Sequence, residues 1–241
     1  MIISIDLDFI LEPCIQLYND LVVNDTSDQN IMWEDIMQQR DLKRHLSINQ
    51  ENWQFICDII KRSKNKCNIY VGNDHSSILT AIDQEVKRNG ISLPLDVVNI
   101  DHHHDILYKE INRAIIDKYQ DPNCADWVYF LGRMGLLDNY FWVSNPNSEP
   151  YNIQKMGAFK ANNFIQMDKT QFDYDSLENI DLIFFTSSTP WIPREFLNYH
   201  FAIIKLILET FDESKVFFLS RSFSEERNLN TLYSDIIHRA I

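Results

Sequence analysis

The stretch Asn99-Ile100-Asp101-His102-His103-His104-Asp105-Ile106 follows an apolar run, Leu95 to Val98, that is typical of a buried strand. Its five central residues carry only carboxylates and imidazoles. In an extended backbone successive side chains point to opposite faces, which predicts that Asp101, His103 and Asp105 share one side and that His102 and His104 share the other. Three such ligands are costly to bury unless a cation lies between them. The stretch alone indicates either half of a metal site or a solvated polar loop.

Two further strand-like segments end in ligands of the same kind. Val71-Gly72-Asn73-Asp74-His75-Ser76 follows one of them, and Ser4-Ile5-Asp6-Leu7-Asp8 stands near the start of the chain. Asp6 and Asp8 are two apart, so a strand would turn both carboxylates to one face. Four carboxylates and two imidazoles are more than one tetrahedral zinc needs, and they suit a pair of harder divalent ions, with Mn²⁺ the natural candidate. The predicted metal ligands are Asp6, Asp8, His75, Asp101, His103 and Asp105.

Strand-like runs alternate with helical patterns along the chain. The pattern predicts strands at 1–8, 68–72, 95–100, 140–144, 181–186 and 215–220, and helices at 32–42, 48–61, 77–89, 124–136, from Pro193 and over 229–237. Such alternation predicts a three-layer α/β fold, with a mostly parallel sheet and helices on both faces, and residues 1–241 as one domain. Ligands bind at the carboxyl ends of the strands in such sheets, where all three motifs fall.

The composition restricts the function classes. Lys and Arg number 22 against 35 Asp and Glu, a net charge of -13, which argues against a nucleic-acid partner and weakly favours a cationic substrate. The four cysteines are not spaced as C-x-x-C, so no zinc ribbon or redox motif is indicated. The longest apolar stretch, Phe201 to Leu208, contains Lys205 and is too short to span a bilayer. Because the start of the chain does not resemble a signal peptide, we expect a cytoplasmic protein.

The three motifs together resemble the arginase and ureohydrolase superfamily, which also contains deacetylase-type amide hydrolases. Gly72-Asn73-Asp74-His75 is similar to its Gly-Gly-Asp-His motif, Asp101-His102-His103-His104-Asp105 to Asp-Ala-His-x-Asp, and Ser4-Ile5-Asp6-Leu7-Asp8 to Ser-x-Asp-x-Asp. Asn73 replaces a glycine and His102 an alanine. The Ser-x-Asp-x-Asp motif comes first here, whereas in arginases it comes last, and this order resembles the permuted peptide-arginase branch.

The resemblance implies an arginase-like fold and a hydrolase that holds two Mn²⁺ ions and converts arginine in a ribosomal precursor peptide to ornithine and urea. It implies that His75, Asp101, Asp105 and Asp8 hold one ion and that Asp101, His103, Asp6 and Asp8 hold the other. Asp105 is the candidate for orienting the attacking water. Peptide and free arginine both stay open as substrates, and so does a homo-oligomer.

Other catalytic and substrate-binding residues are less well defined. The family has a proton-shuttle histidine after the second motif, but this chain has none between His104 and His200. His104 is therefore a candidate, although alternation points it away from the metals. Asp126 is a candidate contact to the guanidinium or the peptide, or alternatively a helix-start residue. Substrate-binding candidates at the end of the fifth predicted strand are Ser187, Ser188 and Thr189, with ordinary loop residues as the alternative.

Two alternative functions use the same residues. The first is a single-zinc amide hydrolase of deacetylase type, with Asp101, His103 and one N-terminal aspartate as ligands; the surplus ligands count against it. The second is a noncatalytic metal-binding or interaction domain, which the missing shuttle histidine keeps open.

Overall fold

Strands and helices alternate through the parts of the chain that the computed structural model describes, which are residues 1–12, 47–106, 124–148, 159, 161–187, 192 and 196–219. The strands are β1 (Ile2–Asp6), β2 (Leu11–Glu12), β3 (Ser47–Ile48), β4 (Asn68–Gly72), β5 (Leu95–Asp101), β6 (Leu137–Ser144), β7 (Asn163–Met167), β8 (Leu182–Thr186) and β9 (Val216–Phe218). The α-helices are α1 (Gln50–Arg62), α2 (Ile78–Asn89), α3 (Trp127–Arg133) and α4 (Leu197–Thr210).

Seven of the strands form one sheet in the order β7-β6-β5-β1-β8-β4-β9. Each neighbouring pair in it is parallel. The two short strands β2 and β3 pair antiparallel as a separate ribbon. Since parallel strands end at the same edge of a sheet, the carboxyl ends of β1, β4 and β5 lie on one side of the molecule.

Side chains alternate between two hydrophobic cores, one on each face of the sheet. On β1, Ile3 and Ile5 belong to the core that contains buried residues of α1 and α4, whereas Ile2 belongs to the core that contains those of α2 and α3. β1 is buried on both faces, which explains its nearly continuous apolar sequence. The predicted three-layer α/β architecture, with a parallel sheet and helices on both faces, is confirmed.

Several predicted boundaries are corrected. Helix α1 begins at Gln50, two residues later than predicted, and its cap is Asn49, whose side chain accepts a hydrogen bond from the Asn52 amide. Helix α2 ends as predicted at Gly90, which adopts the left-handed conformation with φ 68°. Helix α4 begins at Leu197, and Pro193 lies outside the described residues.

The buried face of α4 is narrow. Ile203 and Ile207 are its fully buried residues, while Leu208 is 48% exposed. Strand β7 was not predicted at all. The helices predicted at 32–42 and 229–237 lie outside the described residues. Within the described ranges, none of the helices has the length and apolarity that crossing a membrane requires.

Candidate metal centre

The six predicted metal ligands meet at the carboxyl edge of the sheet. Asp6 is the last residue of β1, Asp101 is the last residue of β5, and His75 follows β4 by three residues. The sheet places β1 next to β5, and β8 alone separates β1 from β4. Asp6 and Gly72 both lie opposite Thr186 of β8, so the segment carrying His75 leaves the sheet at the level of Asp6.

The His75 imidazole faces three carboxylates. Its Nδ1 lies 2.9 Å from Oδ2 of Asp105, 3.3 Å from Oδ2 of Asp101 and 3.4 Å from Oδ2 of Asp6. The ligand atoms of Asp6, His75 and Asp101 lie within 4.8 Å of one another, which is close enough for all three to hold one metal ion.

A second group of ligands surrounds the His103 imidazole. Its Nδ1 lies 3.0 Å from Oδ2 of Asp8 and 3.7 Å from Oδ1 of Asp101. The ligand atoms of Asp8, Asp101 and His103 also lie within 4.8 Å of one another. Asp101 therefore belongs to both groups and turns one carboxylate oxygen toward each imidazole. The resemblance grouped Asp6 with His103, whereas the structure places Asp6 nearer to His75.

The backbone that carries Asp8 and Asp105 is not the extended strand that was predicted from the alternation of side chains. β1 ends at Asp6, and Asp8 lies in a 3-10 turn, Leu7–Ile10, in which the Asp6 side chain accepts a hydrogen bond from the Asp8 amide. β5 ends at Asp101, and Asp105 has a left-handed φ of 51°. The expected convergence of side chains is present, but two turns produce it rather than two straight strands.

Two residues without a predicted role orient the ligands. The Ser4 hydroxyl lies 2.6 Å from Nε2 of His75, and the Trp127 indole N–H donates to Oδ2 of Asp105 at 2.6 Å. Ser4 stands two residues before Asp6 on β1, so alternation could have placed it on the face of Asp6. No feature of the sequence pointed to Trp127.

A third unpredicted residue, Asn99, holds the loop that follows β5. Its amide nitrogen donates to Oδ2 of Asp101 at 3.3 Å, to the His103 carbonyl at 3.2 Å and to the Tyr140 hydroxyl at 3.1 Å. The Tyr140 hydroxyl in turn donates to the His104 carbonyl at 2.8 Å. Asn99 opens the stretch of carboxylates and imidazoles, but the sequence gives no sign of the three hydrogen bonds that its side chain donates.

Burial and like charge shift the carboxyl pKa values in the cluster. Burial, followed by the charge of Asp101, raises the pKa of Asp8 to about 6 and that of Asp105 to about 7. Burial also acts to raise the pKa of Asp101, but hydrogen bonds from His103 and His75 outweigh it and hold that pKa well below its ordinary value. Asp101 is thus the carboxylate that stays charged most readily.

The pKa values of the His75 and His103 imidazoles are raised, whereas those of the buried His102 and His104 are lowered. Burial acts to lower the pKa of His75, but the Asp105 charge and hydrogen bonds to Asp101 and Asp105 raise it well above its ordinary value. The pKa of His103 is raised in the same way by Asp8 and Asp101 against burial. Protons therefore neutralise part of the buried negative charge in the metal-free cluster.

The donor set fits a divalent metal ion. Oδ2 of Asp8 is buried, and the contact given for it is with Nδ1 of His103 at 3.0 Å; a buried carboxylate oxygen is costly unless a cation is its partner. The donors are carboxylate oxygens and imidazole nitrogens, both of which bind divalent metal ions in proteins. With Nδ1 directed at the carboxylates, Nε2–H of His75 can donate to Ser4, the arrangement that orients metal-binding histidines in known sites. The described residues thus contain buried Asp and His groups close enough to hold a metal ion.

His102 and His104 differ in what their rings contact. Burial lowers the pKa of both imidazoles to about 3. Nδ1 of His104 accepts a hydrogen bond from the Ile106 amide, and its ring packs edge-on against Trp142 of β6, whereas the His102 ring lies edge-on to that of His103 with centroids 5.1 Å apart. The contacts of His104 agree with the expectation that it points away from the ligands. A catalytic role for His104 stays a prediction.

The remaining candidates are placed only in part. Asp126 is buried at the start of α3, the position that one of its two predicted roles requires. Its side chain makes no hydrogen bond that caps the helix. Ser187 is buried directly after β8, at the same edge of the sheet as the ligands. Ser188 and Thr189 lie outside the described residues.

Comparisons with protein-family models, with curated proteins and with solved structures find no match to this chain. The similarity to ureohydrolases rests on the three motifs, and the site must be interpreted from its own geometry.

Proposed function

We propose that this protein is a binuclear manganese hydrolase that cleaves the guanidinium group of arginine, within a ribosomal precursor peptide, to ornithine and urea. The observation that carries the proposal is the shared carboxylate of Asp101. Two groups of ligand atoms, one built on His75 and one on His103, meet at this residue. A carboxylate shared by two ligand groups supports the proposal of two neighbouring ions.

The ions, when bound, supply Lewis-acid chemistry and lower the pKa of a water molecule. Neighbouring residues of the chain orient the side chains that would bind the ions. Ser4 fixes the orientation of the His75 ring, and Asn99 and the Asp101 carboxylate fix the loop that carries His103. Asp105, held by Trp127 and beside His75, is the side chain placed to orient the attacking water.

The surroundings favour a cationic substrate. Four buried carboxylates gather at one strand edge in a chain of net charge -13, and such a site attracts a guanidinium group. His103 keeps 18% of its side chain exposed, while His75 keeps 2%, so solvent reaches the cluster on the His103 side. Hydrolysis there adds one water across the guanidinium C–N bond and leaves an amine and urea.

The first experiment measures metal content per chain by elemental analysis after manganese loading and desalting. We expect two Mn²⁺ per chain in the wild type and a sharp decrease in Asp6→Ala and His75→Ala. Asp96→Ala is the matched control, because Asp96 is an exposed aspartate at the opposite end of β5. One zinc per chain would instead favour the deacetylase-type hydrolase, and no bound metal would refute the proposal.

The second experiment tests turnover. Arginine-containing peptides and free arginine are incubated with the loaded protein, and ornithine and urea are measured by mass spectrometry. We expect Asp105→Asn to lose turnover while retaining its metal. Retained turnover in this variant would refute the role of Asp105. A loaded wild type that converts neither substrate would favour a noncatalytic metal-binding domain.

A further inference from the structure

The 3-10 turn Leu7–Ile10 determines where Asp8 lies, because Asp8 is beyond the end of β1. The carboxylate of Asp8 has few contacts outside the cluster itself. Its Oδ1 accepts a hydrogen bond from the His102 amide at a long 3.3 Å, and its Oδ2 lies 3.0 Å from Nδ1 of His103, a member of the same ligand group. The position of this ligand therefore depends on how the backbone of the turn is fixed.

Asn145 fixes that backbone from the end of β6. Its amide nitrogen donates to the Phe9 carbonyl at 2.7 Å and to the Leu11 carbonyl at 2.9 Å. Its own side-chain oxygen accepts a hydrogen bond from the Asn147 amide at 2.8 Å, which orients the amide group. Asn145 is buried, so its two bonds to the turn face little competition from water.

Asn52 holds the same turn from helix α1. This residue is fully buried in α1, and its amide nitrogen donates to the Phe9 carbonyl at 2.9 Å. Its side-chain oxygen accepts a hydrogen bond from Nζ of Lys169 at 2.6 Å. The Asn49 amide adds a bond to the Ile10 carbonyl at 2.8 Å. Three successive carbonyls, those of Phe9, Ile10 and Leu11, are thus held by donors outside the turn.

We propose that Asn145 and Asn52 are positioning residues for Asp8, and that through Asp8 they determine whether the ion bound by Asp8, Asp101 and His103 is held. This inference rests on the proposed pair of metal ions. The amides touch neither the ions nor the substrate, and they act only through the backbone of the turn. The group formed by Asp6, His75 and Asp101 does not include Asp8 and should bind its ion without them.

The test compares manganese binding in the wild type, Asn145→Asp, Asn145→Ala and Asn52→Ala. Asn145→Asp keeps the shape of the side chain but replaces the donor with a charged oxygen that repels two carbonyls. Asn163→Asp makes the same substitution at an exposed position on β7 and is the matched control. Stoichiometry is measured by elemental analysis, and spin coupling between two ions is measured by electron paramagnetic resonance.

We expect two coupled ions in the wild type and in Asn163→Asp, and one uncoupled ion in Asn145→Asp and Asn145→Ala. In Asn52→Ala, which removes one of two donors to the Phe9 carbonyl, we expect the affinity for the second ion to fall about tenfold. Circular dichroism establishes that each variant is folded. If neither Asn145 variant folds, the Asn52→Ala titration decides the question.

Three results would overturn the inference. The first is two coupled ions with wild-type affinity in the folded asparagine variants. The second is the loss of both ions together in a folded variant, which would indicate a general structural role. In either case the proposed function stands, since the wild type binds its pair. The third, fewer than two ions in the wild type, would overturn both proposals.

Discussion

Ser4 orients the His75 ring so that Nδ1 is the nitrogen that faces the carboxylates. Its hydroxyl lies 2.6 Å from Nε2, and if a metal ion bound at Nδ1, Nε2–H could donate to Ser4. A partner of this kind restricts both the tautomer and the rotation of the ring. Ser4 is itself fully buried on β1, which leaves it little freedom to move.

We predict that Ser4→Ala binds manganese about 10- to 100-fold more weakly than the wild type, because the His75 ring loses its orienting partner. Loss of one buried hydrogen bond should lower the free energy of unfolding by only about 1 kcal/mol. Isothermal titration with Mn²⁺ measures the first effect and urea denaturation the second.

The control for this substitution is Ser63→Ala. Ser63 is as deeply buried as Ser4, but it follows α1, and its hydroxyl has no hydrogen-bond partner among the described residues. Manganese affinity equal to that of the wild type in both variants would mean that Ser4 does not orient His75.

At the scale of elements, Gly72 at the end of β4 leaves room for the Phe184 ring of β8 next to the ligands. A Cβ atom at this position would lie 2.7 Å from Cζ and 2.8 Å from Cε2 of Phe184. The Phe184 ring is fully buried and stacks on the His75 imidazole, with centroids 6.0 Å apart and planes 14° apart. A side chain at position 72 would therefore press on a metal ligand through the phenylalanine.

We predict that Gly72→Ala lowers the free energy of unfolding by about 1–3 kcal/mol through overpacking and also weakens manganese binding. Chemical denaturation and metal titration measure the two effects. Phe184→Leu makes room for the added methyl group, so the double variant should recover part of both losses. Strictly additive losses in the double variant would show that the two side chains do not interact.

Elements with strong apolar character were predictable from the sequence, and those formed by weaker signals were not. β4 matches the prediction at both ends because an apolar run stops abruptly at polar residues. β7 was missed because it lies at the edge of the sheet, where three of its five residues are exposed and the hydrophobic signal is weak. The end of β1 was placed two residues too late, since the residues of the 3-10 turn are as deeply buried as those of the strand.

The candidate site was predictable to the extent that its residues carry chemistry. Carboxylates and imidazoles at three strand ends stand out, and the structure brings all six together. Asn145 could not be found in this way, because the carbonyls that it binds are 136 and 134 residues away in the chain. A backbone carbonyl leaves no mark in the sequence, so residues that act through the backbone become visible only in the structure.

At the scale of the whole molecule, the groups of the cluster with raised pKa values stabilise the fold less as the pH rises, whereas Asp101, with its lowered pKa, acts in the opposite sense. The carboxyl pKa values of Asp8, about 6, and Asp105, about 7, lie above the value of about 4 in an unfolded chain. A raised pKa contributes stability below about pH 4, and that contribution is lost as the pH rises through the folded-state value. The raised pKa values of His75 and His103 act in the same direction at higher pH.

We predict that manganese stabilises the protein more at pH 8 than at pH 5.5, because at low pH protons compete with the ions for the same atoms. With free Mn²⁺ about 100-fold above its dissociation constant, each ion contributes about 2.7 kcal/mol, which raises Tm by roughly 5–10 °C. Differential scanning fluorimetry with Mn²⁺ or with a chelator measures the shift. Asp6→Ala should show a much smaller shift, and an equal shift at both pH values would contradict the prediction.

The position of β8 in the sheet means that a bound metal ion would also stabilise a strand that contributes no ligand. β8 lies between β1 and β4, which carry Asp6 and lead to His75, but among its described residues it contributes no member of either ligand group. An ion bound by Asp6, His75 and Asp101 would link the ends of β1, β4 and β5 across β8, and it would constrain the chain between them as a cross-link does. Amide protons of β8 would then exchange with solvent more slowly when the ion is bound, although β8 supplies none of these ligands.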